Sequence, residues 1–208
     1  TVVVAEWDAD KVMVLDSSEE KTGDILANGK SVFAASAGDM LYTTLQDAID
    51  NAGPGDTVTL KRDLEVIPVN GENAIAIDKD ITLDGAGCQI SAKEFSEQGT
   101  DVISVVSGSV TIKDLKIAGD ETMGNGLSLT NGTEVSLKNV TIENCGGAGI
   151  DINGAIVTAD GVTTVGNSLG GIHVEKGVPG SIGPYLMLKD GSVTEKRQIW
   201  TNDLNGGA

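Results

Sequence analysis

Of the 208 residues only two are cysteine, one is histidine, two are arginine, and Phe, Trp and Tyr together make 3%. Each scarcity removes a class of protein. The cysteines, Cys88 and Cys145, form neither a C-x-x-C pair nor a metal-ligand spacing, so their pattern signals neither a metal site nor a redox compartment. Lys and Arg number 14 against 31 Asp and Glu, and the net charge of −17 repels phosphate backbones and anionic lipid surfaces alike. Nucleic acid and bare membrane are therefore not expected partners. No apolar run approaches the ~18 residues of a membrane span, and "TVVVAEWDAD" at the start lacks the basic and apolar regions of a signal peptide.

What is abundant is glycine, 28 residues, roughly twice the usual ~7%. With so few aromatics, the core must be built from branched aliphatics between frequent turns. A loose repeat organises them. Ile150-Asp151-Ile152 returns as Ile172-His173-Val174, Val135-Ser136-Leu137 as Val157-Thr158-Ala159, and Val140-Thr141-Ile142 as Val162-Thr163-Thr164, each 22 residues later. Ile75-Ala76-Ile77, Ile103-Ser104-Val105 and Leu127-Ser128-Leu129 extend the first set backwards at 23 to 28 residues.

Successive side chains of a strand face opposite ways, so each triplet points its two apolar residues inward and its middle residue outward. Three such strands per unit, separated by Asp84-Gly85, Asn131-Gly132, Asn153-Gly154 and Asp160-Gly161, describe a triangular coil. Coils stacked about 4.8 Å apart bury together what none buries alone. The fold class expected is all-β, a right-handed parallel β-helix of three short strands and about 22–28 residues per coil.

Residues 42–208 are assigned to that solenoid, and residues 1–41 to an N-terminal strand pair, cap or end of a preceding module. Thr43 or Thr44 caps a helix with Leu45, Ala48, Ile49 and Ala52 on one face, ended by Gly53-Pro54-Gly55, which makes a lid. Before it, "TVVVAEWDADKVMVLD" reads as two strands about Asp8-Ala9-Asp10. If "QIWTND" opens another coil, the solenoid is truncated at Ala208.

The run "LQDAIDNAGPGDTVTL", then "ITLDGAG", then coils ending in "NCGGAGIDI" and "NSLGGIHV", resembles the pectate-lyase-like superfamily of right-handed β-helices from about Tyr42 to Val193. It is closest in pattern to adhesin-like bacterial surface members without the enzymes' motifs. The polygalacturonase Gly-His-Gly element has no counterpart around His173, and Gln46-Asp47 lies in the lid rather than in a methylesterase context. Pectate lyases combine Ca²⁺-binding acids with an Arg or Lys base, whereas Arg62 and Arg197 stand near the two ends, and Lys113, Lys116 and Lys138 have no evident acidic cluster.

Ala76, Ser104, Ser128, Asp151 and His173 form one outward column in this alignment. Ser, Asp and His suggest a triad, but Asp151 stands between the other two, and the histidine must hold that place. A carboxylate–imidazole pair with Glu175 nearby is the chemistry left open; otherwise these are solvent-facing wall positions. A second outward column, Thr82, Thr111, Ser136 and Thr158, follows ordinary β-propensity. The cysteines sit two coils apart, about 10 Å along the axis, and are expected as free thiols, one buried and one near a turn.

The leading expectation is a non-catalytic domain of an extracellular or cell-surface protein, a stalk or a wall with a candidate binding face of Ser128, Asp151, His173 and Glu175. Its expected partners are an extracellular polysaccharide or a host or cell-surface protein. No catalytic residue, no metal ligand and no cofactor is assigned, and Ca²⁺ has no specific motif. The competing expectation is a polysaccharide lyase or glycoside hydrolase. A groove for it would be sought at Lys93 to Asp101 and Ala118 to Gly126, the longer connections.

Overall fold

The computed structural model describes residues 2–4, 25–27, 29–68, 73–93, 99–178 and 183–201. The turn Asp8-Ala9-Asp10 and the strand expected after it lie outside them, as does most of the Lys93 to Asp101 connection. Strand β1 (Val2–Val4) pairs in parallel with β2 (Ile25–Ala27), which turns back into β3 (Lys30–Ser31).

Next come β4 (Ala35–Ala37), β5 (Met40–Tyr42) and α1 (Leu45–Asn51). Thr44 caps the helix: its hydroxyl accepts from the Asp47 amide at 3.1 Å and donates to the Asp47 carboxylate at 2.7 Å. Leu45, Ala48 and Ile49 are buried over the first coil, as their one-face spacing requires. Past the helix, the Gly53 amide donates to the Asp56 carboxylate at 2.8 Å, and Gly55 turns the chain at φ +86 into β6 (Thr57–Leu60).

After β7 (Leu64–Val66) the coils follow in order. They are β8 (Ile75–Ile77), β9 (Ile81–Asp84) and β10 (Gln89–Ala92); β11 (Ile103–Val105) and β12 (Ser109–Ala118); β13 (Leu127–Leu129) and β14 (Glu134–Glu143). Then come β15 (Ala148–Asn153), β16 (Ile156–Asp160) and β17 (Thr163–Val165); β18 (Gly170–Glu175), β19 (Tyr185–Lys189) and β20 (Ser192–Val193); and β21 (Ile199–Thr201). One wall is the parallel sheet β8-β11-β13-β15-β18-β21. The other two belong to a single bent sheet that ends, on the N-terminal side, in antiparallel β4 and β5.

The second and third strands expected per coil are continuous in β12 and β14. Each bends at one residue in the left-handed region, Asp114 at φ 50 and Asn139 at φ 52, so a corner forms without breaking the strand. The register matches the sequence columns throughout: Thr82, Thr111, Ser136 and Thr158 are successive partners, as are Ile81, Val110, Val135 and Val157. Inward residues such as Ile77, Leu83, Ile112, Leu129, Leu137 and Ile152 are fully buried, which is the stacked aliphatic core the triplets imply.

Both cysteines are free. Cys145 is buried, and that burial pushes its thiol up to about 12, so it is chemically quiet at neutral pH. Cys88 is partly buried beside the turning residue Gly87. No helix among the described residues is long and apolar enough to cross a membrane.

Candidate functional site

The outward column of the flat wall runs Ala76, Ser104, Ser128, Asp151, His173, as the repeat places it, and then Trp200. Trp200 is one residue that sequence reasoning missed. Its signal was present, since Ile199-Trp200-Thr201 continues the pattern of Ile172-His173-Val174.

The two central groups are not solvent-facing, contrary to expectation: the His173 and Asp151 side chains are only 12% and 19% exposed. The next coil covers them. The Trp200 ring stacks on the imidazole with centroids 4.9 Å apart and planes 23° from parallel, and the Arg197 guanidinium lies 5.3 Å from the indole centroid. Gly170 makes this approach possible, because a Cβ there would sit 2.4 Å from the indole Cζ3. Beneath the indole, His173 Nδ1 lies 2.7 Å from Asp151 Oδ1, the geometry of an N–H donating to a carboxylate. Its Nε2 is buried without a hydrogen bond, and the Glu175 carboxylate stands off at 3.5 Å.

Ser128 is the in-register partner of Asp151 on the side away from His173, so the imidazole is not placed to take its proton. The hydroxyl instead serves Asp101, a residue not singled out from the sequence. Burial pushes the Asp101 carboxyl up, opposed by hydrogen bonds from the Asn125 amide and from Ser128 and reinforced by the charge of Asp151. Asp101 is one rung of a ladder in which each side-chain oxygen accepts from a backbone amide one coil on. The Asp101 amide donates to Asn73 Oδ1 at 2.9 Å, the Asn125 amide to Asp101 Oδ1 at 2.7 Å, and the Ala148 amide to Asn125 Oδ1 at 2.8 Å.

Thus the structure brings Asp151, His173 and Glu175 together and sets Ser128 apart, against Asp101. Chemically the cluster can hold an oriented imidazole, with the Trp200 ring stacked on one face of it. Lys113 and Lys116 each hold a single carboxylate, Asp84 at 2.6 Å and Glu143 at 2.8 Å, rather than an acidic cluster. Among the described residues no three His, Cys, Asp or Glu side chains are grouped to hold a metal ion. Of the two connections where a groove was sought, Ala118 to Gly126 folds back on the coils and buries Met123.

A further open depression of about 600 Å³ lies at the C-terminal corner, lined by Asn167, Leu169, Gly170, Glu195 and Arg197 among others. Its floor is a closed network. Glu195 Oε1 accepts from Asn167 Nδ2 at 2.7 Å and Oε2 from the Thr164 hydroxyl at 2.9 Å, while Asn167 Oδ1 accepts from the Cys145 amide at 3.0 Å. All three polar side chains are buried and satisfied.

The model of a protein family described as the right handed beta helix region matches residues 62–206, which is most of the chain. Neither a curated protein nor a solved structure matches it.

Proposed function

We propose that this chain, which belongs to the right-handed β-helix family, is a non-catalytic domain of an extracellular bacterial surface protein. Like the adhesin-like members of the pectate-lyase-like superfamily that it resembles, it uses its coil wall as a stalk and as a binding face for a glycan or a protein partner.

One observation carries the reading. The chain's single histidine, the natural general base on such a wall, is held at 2.7 Å by Asp151 and covered by Trp200, so its role is to join the fourth, fifth and last rungs of the wall. The net charge of −17 supports the same reading, because it repels the polyuronates on which lyases of this fold act.

The test is a reducing-end and unsaturated-product assay over plant, host and microbial polysaccharides, with and without Ca²⁺. No turnover is expected on any of them. Turnover would overturn the reading, and its loss in Asp151→Ala or His173→Ala would replace it with a polysaccharide lyase or glycoside hydrolase working on this wall.

A further inference from the structure

Two adjacent cations border the 600 Å³ depression, and no carboxylate answers them. Lys196 and Arg197 are exposed, and among the described residues neither makes an ion pair. Elsewhere the lysines are matched: Lys113 holds Asp84, Lys116 holds Glu143 and Lys189 holds Asp160. The acid next to the two cations in sequence, Glu195, is turned inward, where Asn167 and the Thr164 hydroxyl take both of its oxygens.

The same depression carries apolar surface. Leu169 is 58% and Val165 39% exposed, and both line it. Its walls are the connections 166–169, between β17 and β18, and 194–198, between β20 and β21, which lie one coil apart. They are fastened to each other: the Gly171 amide donates to the Arg197 carbonyl at 2.9 Å and the Ile172 amide to the Gln198 carbonyl at 2.8 Å. The Arg197 guanidinium, 5.3 Å from the Trp200 indole centroid, is held in place by that ring. Cations and apolar side chains are thus set before any ligand arrives, which lowers the entropy cost of binding one.

We propose that this depression captures the C-terminal carboxylate of a protein partner, with the partner's last side chain, an apolar one, packed on Leu169 and Val165. The inference rests on the reading of this chain as a binding domain and gives the partner its chemistry. Lys196 and Arg197 against Glu195 leave one positive charge, which suits a single carboxylate, while the net charge of −17 turns a polyanion away. The planar fork of Arg197 can grip both carboxylate oxygens.

A sugar fits less well. None of the described residues lining the depression is aromatic, and the neighbouring Trp200 ring already has His173 stacked on it and Arg197 beside it. Aliphatic side chains instead suit an aliphatic side chain, whose burial needs no particular orientation.

The experiment titrates the whole chain calorimetrically with the peptide acetyl-Gly-Ser-Ala-Leu as the free acid, with its C-terminal amide, and with the same acid ending in glycine. The free acid should bind at one site per chain, and the amide about tenfold or more weakly, the loss expected when a charge-assisted pair is removed. Arg197→Gln should weaken the acid by about tenfold and Arg197→Lys by less, since the charge stays and the fork goes. Lys196→Gln, at an exposed residue with no ion pair to lose, tests the charge without touching Trp200 and should weaken the acid several-fold. Leu169→Ser should weaken the leucine peptide by about threefold or more and leave the glycine peptide unchanged.

No saturable binding of the acid, equal binding of the amide, or binding indifferent to both Lys196→Gln and Leu169→Ser would overturn the proposal. Tighter binding of D-glucuronate than of the peptide would overturn it in favour of a glycan. These failures leave the non-catalytic reading standing, because that reading falls only to turnover in the polysaccharide assay, which the peptide titration does not measure.

Discussion

At the N-terminal end, α1 lays Leu45, Ala48 and Ile49 over the interior, each at most 2% exposed, while at the other end Leu188 and Ile199 look into solvent from equivalent depth. The backbone differs in the same sense. The edge strand β8 is completed by a side chain: Gln46 Oε1 accepts from the Ala76 amide at 2.9 Å, and Gln46 Nε2 donates to the Ala76 carbonyl at 3.0 Å. One carboxamide thus stands in for a neighbouring strand, and its Nε2 also reaches the Asp50 carboxylate at 2.8 Å. Among the described residues β21 has a partner on one side only, β18. The contrast shows that a solenoid is finished by two separate devices, an apolar lid for its interior and a hydrogen-bonding group for its strand edges.

The sharpest way to break this comparison is to charge both ends. Ile49→Asp places a carboxylate where no water reaches and removes a core side chain, at a cost of about 4 kcal/mol or more, whereas Ile199→Asp should cost under about 1 kcal/mol. Denaturant unfolding followed by circular dichroism measures both, and equal losses would mean that the last rung is as buried as the first. The next largest effect is at the edge. Gln46→Ala leaves both Ala76 backbone groups without their partner and should cost about 1–2 kcal/mol, with faster exchange of the Ala76 amide.

The smallest effect lies between the ends and sharpens the comparison by testing a site that burial disfavours. With its carboxyl pushed up in the folded state, Asp101 binds its proton more readily folded than unfolded. It therefore lowers stability above its folded value and is without effect below the unfolded one, about 3.9. Asp101→Asn, which keeps an acceptor for the Asn125 amide, should raise the melting temperature slightly at pH 7, with the gain vanishing below about pH 4. A gain that persists in acid would mean that the charge is not what burial penalises.

Much of the architecture was legible because in-out-in triplets impose their own register: Ile150-Asp151-Ile152 over Ile172-His173-Val174 admits no slip without exposing a whole apolar set. The lid was legible through Thr44 and the spacing of Leu45, Ala48 and Ile49. The continuous bend of β12 and β14 was not, because Asp114 and Asn139 adopt the left-handed region without the glycine that usually announces it. In the candidate site the column was legible, but its exposure was not. Whether His173 is open or covered depends on Trp200, which lies 27 residues on and across a connection longer than the 22-residue step before it. Asp101 escaped notice because its burial comes from a ladder of turn residues, Asn73 and Asn125, that has no alternation to reveal it.

The parallel pairing of successive coils has a mechanical consequence. Each rung's hydrogen bonds point along the solenoid axis, so a pull on the two ends loads them a coil at a time rather than all together. Between Ile150 and Ile172 lie 22 residues that advance the folded wall by one rung, about 4.8 Å, yet span about 75 Å when drawn out straight. Under tension the wall would pay out length in steps of about 70 Å per coil.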